Sequence, residues 1–271
     1  MPSSRISQVF EKLKTDNRLA FMPFITSGDP DIETTAQLIT ELGSRGCDLI
    51  EIGFPYSDPI ADGPTIQASY TRALDKKLHV NDILNAVSAL PTDNLPPLVA
   101  MVAFAIIYRI GPEEFATKLK AAGFSGMIVP DLPGDEAASF FEIARKHDLD
   151  LVQLVSPTTK PERVERILAA ASGFVYCISV AGITGVRDDL PPELKDQLRW
   201  LREKTDLPLA VGFGIGKPGQ IDMLRDVADG VIVGSAIVRQ LEPLNESPDQ
   251  KATIINQIGD YAAEMLSATR S

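Results

Sequence analysis

Residues 207–238 read LPLAVGFGIGKPGQIDMLRDVADGVIVGSAIV. Two short apolar runs, LPLAVGFGI and GVIVGSAIV, flank a segment with helical spacing, KPGQIDMLRDVA. The runs are continuously apolar rather than alternating, as expected of parallel strands covered by helices. Proline at the helix start and glycine at the strand start mark the boundaries. One such unit fixes no fold, but its repetition does. Moving towards the N-terminus, strand-like runs recur as GFVYCISV (173–180), LDLVQLVS (149–156), SGMIVPD (125–131), PLVAMVAFAII (97–107), CDLIEIGF (47–54) and LAFMPFIT (19–26). A helical segment follows each of them. Eight units with a further amphipathic helix in front predict an α/β fold, a closed (β/α)8 TIM barrel with an additional N-terminal helix. An open doubly wound sheet uses the same alternation and is the structural rival. No linker or composition break divides the chain, so a single barrel domain over 1–271 is expected.

The 271 residues are 44% hydrophobic and 23% charged, ordinary for a soluble protein with a large core. The net charge of −11 and the lack of a Lys/Arg block argue against nucleic acid or an anionic membrane as partner. No apolar run reaches the roughly 20 residues of a membrane span. The opening segment has no apolar signal core, which makes the cytoplasm the expected location. Cys47 and Cys177 fit no metal spacing and are expected as buried free thiols. His79 and His147 lie away from strand ends and are expected to face solvent. Acid–base chemistry therefore falls to carboxylates, Tyr, Lys or Cys.

In a barrel, function gathers at the carboxyl ends of the strands. The loops after the seventh and eighth runs carry Gly212, Gly214 and Gly216, then Gly234-Ser235 at a helical turn. Glycines let backbone N–H groups approach an anion closely, and a helix start favours negative charge, so this pair of loops suggests a phosphate cradle. Simple turn glycines are the plainer alternative. GIGKPG (214–219) matches GxGxxG literally, but it lies in the seventh unit, and the next acid, Asp222, falls inside a helix. It is not read as a dinucleotide fingerprint.

Glu51 stands inside the apolar run CDLIEIGF. The period of two places Leu49, Glu51 and Gly53 on one face and Ile50, Ile52 and Phe54 on the other. The latter set suits the helix layer, so Glu51 should point into the barrel near its mouth. Desolvation there raises a carboxyl pKa towards the range useful for general acid–base work. A structural ion pair is the alternative, yet the strands offer almost no basic residue for one. The next loop, PYSDPIADGP (55–64), is stiffened by three prolines and carries Asp58 and Asp62. Asp62 is either a helix N-cap or a second functional acid. AGITGVRDD (181–189) has the composition of a mobile lid or of an ordinary surface loop.

PFITSGDP (23–30), DLIEIGFPYSDPIADGPTIQ (48–67), VPDLP (129–133), AGITGV (181–186), GFGI (212–215) and GSAIV (234–238) together resemble the tryptophan synthase α chain family. The match runs in order over nearly the whole length, and the second segment is highly specific. The resemblance implies a (β/α)8 barrel that cleaves indole-3-glycerol phosphate to indole and glyceraldehyde 3-phosphate in tryptophan biosynthesis. It also implies a β-chain partner that holds pyridoxal phosphate in an αββα assembly, with no cofactor or metal in this chain. Carried over by position, Glu51 moves a proton at indole C3 and Asp62 handles the indole N–H, with Tyr176 packed beside that aspartate. Thr184 and Gly185 match the lid. Phe213, Gly214, Gly234 and Ser235 match the phosphate cradle, to which Gly185 adds. Phe24 and Ile66 belong near the indole pocket. Pro55, Asp58, Asp131 and Pro133 fall where the family meets its β partner.

Such a reaction wants one acid kept protonated in a dry pocket and another kept ionised near N1, a pair with separated pKa values. The sequence departs from the family at the third run, where Val102, Ala103 and Phe104 stand near a point at which relatives commonly carry Tyr and Asn. Val180 stands where some relatives have arginine. Two other functions remain open: a barrel that activates the β chain with little lyase activity of its own, and another phosphate-binding barrel enzyme. An indole-glycerol-phosphate synthase would need a catalytic lysine at a strand end, and none is so placed.

Overall fold

A computed structural model describes residues 3–59, 62–91, 95–179, 191, 193–212 and 214–270. The first half contains α1 (Arg5–Thr15), β1 (Ala20–Thr26), α2 (Ile32–Ser44), β2 (Ile50–Gly53), α3 (Pro64–Asp75), α4 (Val80–Ser88) and β3 (Leu98–Met101). There follow α5 (Phe104–Ile110), α6 (Pro112–Ala121), β4 (Gly126–Ile128), α7 (Ala137–Lys146), β5 (Asp150–Val155) and α8 (Pro161–Ala169). The last part holds β6 (Val175–Ile178), α9 (Glu193–Arg202), β7 (Leu209–Gly212), α10 (Pro218–Asp222), β8 (Gly230–Val233), α11 (Ser235–Val238) and α12 (Lys251–Ala268). The strands pair in chain order, all parallel, and β8 pairs back onto β1, which closes the barrel. The open-sheet alternative is thereby excluded.

Two cores follow from the strand period. Leu49, Val99, Ile128, Val152, Tyr176 and Ala210 fill the barrel interior. Ile50, Ile52 and Phe54 join the larger core between strands and helices, so β2 presents its faces as its alternation predicts. The bottom of the barrel is shut by α1. Ile6, Phe10 and Leu13, spaced to share one helix face, enter the interior core, and the Phe10 and Phe174 rings lie 5.8 Å apart. The side-chain oxygen of Ser4 accepts from the Ser7 N–H at 3.1 Å and caps that helix. This packing fills the lower end of the interior, opposite the mouth.

Several segments differ from expectation. The third apolar run does not continue as a strand: β3 stops at Met101, and Phe104–Ile110 is helical. Ala103 at the N-cap has no side chain to bond the helix start, and Asp131 from the next unit supplies that acceptor, 2.7 Å from the Phe104 N. Periodicity cannot separate a strand from a helix inside one short apolar run. The helix expected over KPGQIDMLRDVA ends at Asp222, and short 3-10 turns occupy Arg239–Asn245 and Pro248–Gln250. His79 is exposed as expected, but His147 is only 20% exposed at its side chain and lies 2.8 Å from the Glu113 carboxylate. The position at the end of α7 holds; the solvent-facing imidazole does not. Cys47 and Cys177 are buried free thiols, and burial pushes both up to about 12, far from thiolate chemistry. Among the described residues no helix is long and apolar enough to cross a membrane.

Candidate active site

Glu51 is the second residue of β2, in register with Phe24 of β1 and Val99 of β3. Its side chain is 0% exposed. Neither carboxylate oxygen finds a hydrogen-bond partner among the described residues, and no cation pairs with it there. Burial alone pushes its pKa from 4.5 up to about 8. The charge of Glu51 is felt by Tyr176 on β6, the far side of the barrel, as a side chain directed inward requires. Among the described residues nothing supports the ion-pair alternative for Glu51.

Asp62 ends the proline-rich loop and is half-buried. It is not the N-cap of α3. Gly63 takes that place with no side-chain bond, and Pro64 opens the helix. The loop is held from the helix side by Gln67, whose Nε2 donates to the Asp62 carbonyl at 2.7 Å and to the Pro59 carbonyl at 3.3 Å. Burial raises the Asp62 carboxyl to about 6. It is more desolvated than a loop acid suggests, yet it stays below Glu51. The two acids are therefore separated in the order that the reaction implied by the resemblance calls for.

An apolar wall stands beside them. Phe24, Ile66, Tyr70 and Val238 form a buried cluster at the mouth, with Met101 packed against it. Two strand-end glycines make the room. A Cβ on Gly53 would fall 2.5 Å from Phe24 Cζ and 2.9 Å from the Tyr70 hydroxyl, and one on Gly212 would overlap the Tyr176 ring. A cavity of about 390 Å3 opens here, lined by Asp62, Tyr70, Met101 and Val102 together with Asp58 and Asp131 of the neighbouring loops. Tyr176 and Tyr70 are both pushed well above the ordinary phenol value, first by burial and then by the two acids. For Tyr176 the larger charge effect comes from Glu51, with Asp62 second. Both acids thus act on Tyr176, which the resemblance set beside Asp62.

The glycine loops lie next to this wall. Gly214 takes a φ of 80°, a conformation suited to glycine, just past the end of β7. Gly234 and Ser235 join β8 to α11, and the Gly234 carbonyl accepts from the N–H groups of Ile237 at 2.8 Å and Val238 at 3.0 Å. A Cβ on Gly234 would sit 3.6 Å from Phe24, so the cradle and the ring pocket share a border. Thr184, Gly185, Phe213 and Val180 lie outside the described residues. Of the residues expected at a partner surface, Asp58, Asp131 and Pro133 are exposed. Pro55, by contrast, is buried. Among the described residues no group of three or more His, Cys, Asp or Glu is arranged to hold a metal.

The sequence reading missed Tyr70 and the Asp131 cap. Tyr70 stands one helical turn after Ile66, a spacing that equally describes ordinary packing.

A desolvated acid with a lower-pKa acid near it, at the mouth of a barrel closed below and beside an apolar wall, defines an α/β-barrel enzyme of the acid–base class. The family model for the tryptophan synthase alpha chain matches residues 10–269. The alpha chain of Rhodopirellula baltica is 46% identical over 97% of this chain and 98% of its own, and that of Chloroflexus aggregans is 41% identical over 98% of each. Among solved structures, tryptophan synthase of Mycobacterium tuberculosis superposes with a TM-score of 0.88 at 36% identity, covering 99% of both chains. The alpha subunit from Legionella pneumophila gives 0.87 at 36% identity over 98% of each. The chain belongs to the tryptophan synthase alpha chain family. It is a lyase of tryptophan biosynthesis.

Proposed function

We propose that Glu51 and Asp62 carry out the retro-aldol cleavage of indole-3-glycerol phosphate to indole and glyceraldehyde 3-phosphate. The protonated Glu51 gives its proton to indole C3, which turns the ring into an iminium-like electron sink. Ionised Asp62 accepts the indole N–H and stabilises the positive charge at N1. The carboxylate left on Glu51 takes the proton of the glycerol C3′ hydroxyl. The carbon–carbon bond breaks, its electron pair returns to the ring, and the aldehyde leaves. Glu51 ends the cycle protonated, and no redox partner enters the balance. The ring lies against Phe24, Ile66 and Tyr176. The phosphate sits at Gly214, Gly234 and Ser235, completed by Phe213 and Gly185, with Thr184 on the covering lid. The observation that carries this reading is the burial of Glu51 with, among the described residues, no cation and no hydrogen-bond donor at either oxygen. An acid kept in that state without a catalytic use is a cost to stability alone.

The alpha-chain name implies a β partner. We assign Asp58, Asp131 and Pro133 to that contact, in an αββα assembly in which pyridoxal phosphate belongs to the β chain. The chain acts as one domain in the cytoplasm, and its own step uses no metal or bound cofactor. The test feeds indole-3-glycerol phosphate to the purified chain, alone and with a β chain, and follows indole or coupled tryptophan. Release of indole supports the lyase step. Its absence in both conditions, with the β reaction still stimulated, supports a chain that only activates its partner.

A further inference from the structure

We propose that Tyr70 is a positioning residue for Asp62: its phenol donates a hydrogen bond to the Asp62 carboxylate across the mouth cavity and holds that acid ionised and oriented. This rests on the lyase reading above and adds to it a residue outside the acid pair and the phosphate cradle.

The place of Tyr70 is fixed by the helix that bears it. Ser69 and Thr26 share a hydrogen bond of 2.7 Å between their hydroxyls, which ties α3 to the end of β1. One turn further on, Arg72 grips the buried Asp29 with two bonds, Nε to Oδ1 at 2.9 Å and a terminal nitrogen to Oδ2 at 2.7 Å. These ties stand on either side of Tyr70, so its ring cannot swing away with the helix. The ring is 4% exposed and packs with Phe24 and Ile66, while its hydroxyl reaches the space that Gly53 leaves open. Glu51 lies two residues earlier on the same strand.

The chemistry of the tip follows. No hydrogen bond among the described residues engages the Tyr70 hydroxyl or the Asp62 carboxylate, and both groups line the same cavity. A largely buried phenol without an acceptor is costly, and so is a half-desolvated carboxylate without a donor. A turn of the Asp62 side chain towards Tyr70 breaks no existing bond and satisfies both. Burial first, and then the nearby acids, keep the phenol protonated, so it serves as a donor. Of the two acids, Asp62 acts on Tyr70 more strongly than Glu51 does. Among the described residues the other titratable groups near Asp62 are Tyr176 from β6 and, on the cavity wall, Tyr56, Asp58 and Asp131. No lysine or arginine among the described residues lines that wall. A phenol donor is then the means at hand for keeping Asp62 ionised in a drying pocket.

The test uses Tyr70→Phe, which removes one oxygen and keeps the packing ring. Carboxyl carbon NMR of the ligand-free chain, with the Asp62 signal assigned through Asp62→Asn, follows its titration without any turnover. The expected result is a rise of the Asp62 midpoint by about one pH unit in Tyr70→Phe, a tenfold change in the protonation constant. The acid limb of kcat for indole-3-glycerol phosphate moves up by the same amount, and KM changes little. An unmoved Asp62 midpoint, or a shift of Glu51 in its place, overturns the proposal. A wild-type chain that titrates as expected but releases no indole removes the lyase reading and leaves the Tyr70 contact standing.

Discussion

Replacing Glu51 by glutamine tests the desolvated acid without relying on catalysis. The folded chain holds the Glu51 proton up to about pH 8, whereas the unfolded chain releases it around 4.5. Between those values the folded state binds the extra proton, so stability falls as pH rises, by at most about 1.4 kcal/mol per pH unit. The stabilisation by this proton is fully present below the lower value and is lost through the upper one. From pH 5 to pH 8 the loss amounts to roughly 3.5 kcal/mol, the integral of that slope between the two midpoints. Glutamine has the same shape and does not titrate. Urea unfolding of both proteins at several pH values gives the difference directly. Asp62 and Asp150, whose pKa values burial also raises, titrate in both proteins and largely cancel. Glu51→Gln should therefore gain roughly 3.5 kcal/mol on the wild type between pH 5 and 8. Parallel stability profiles would mean that Glu51 is hydrated or paired in solution, and the proton donor at indole C3 would be lost with it. The same variant should still bind substrate while indole release disappears, because the amide fills the site but has no acidic proton to give.

The pH dependence of kcat/KM should be bell-shaped, its acid limb set by Asp62, at about 6 without the Tyr70 bond and lower with it, and its basic limb falling through about 8 as Glu51 loses its proton; a flat profile across that window would separate the acids from the reaction. Ser235→Asp, which brings a like charge to the α11 start, should weaken binding of indole-3-glycerol phosphate at least tenfold in calorimetry and leave the fold intact; unchanged affinity removes the cradle. Asp131→Ala takes away the acceptor at the Phe104 N–H and should cost about 1 kcal/mol in urea unfolding, the usual price of a lost helix cap. Asn at the same place should restore most of it.

What the chain shows in its sequence is what depends on near neighbours. Glu51 stands out because a lone acid in an apolar strand has no local explanation, and the period of two assigns its face. The barrel is legible because eight strand–helix alternations leave few ways to close. The third run misleads for the complementary reason: the carboxylate that starts α5 comes from Asp131, 27 residues further along the chain. Nothing between Val99 and Ile110 announces it. Tyr70 hides likewise, since its spacing from Ile66 is that of any packed helix face, and only the gap at Gly53 on another element turns the ring towards the acids. The half-burial of Asp62 is also a property of the assembled mouth rather than of its loop. In this barrel the chemical groups are read from sequence, while their protonation states come from contacts between units. A variant that alters those contacts, as Tyr70→Phe does, should move the pH range of the reaction and leave its chemistry unchanged.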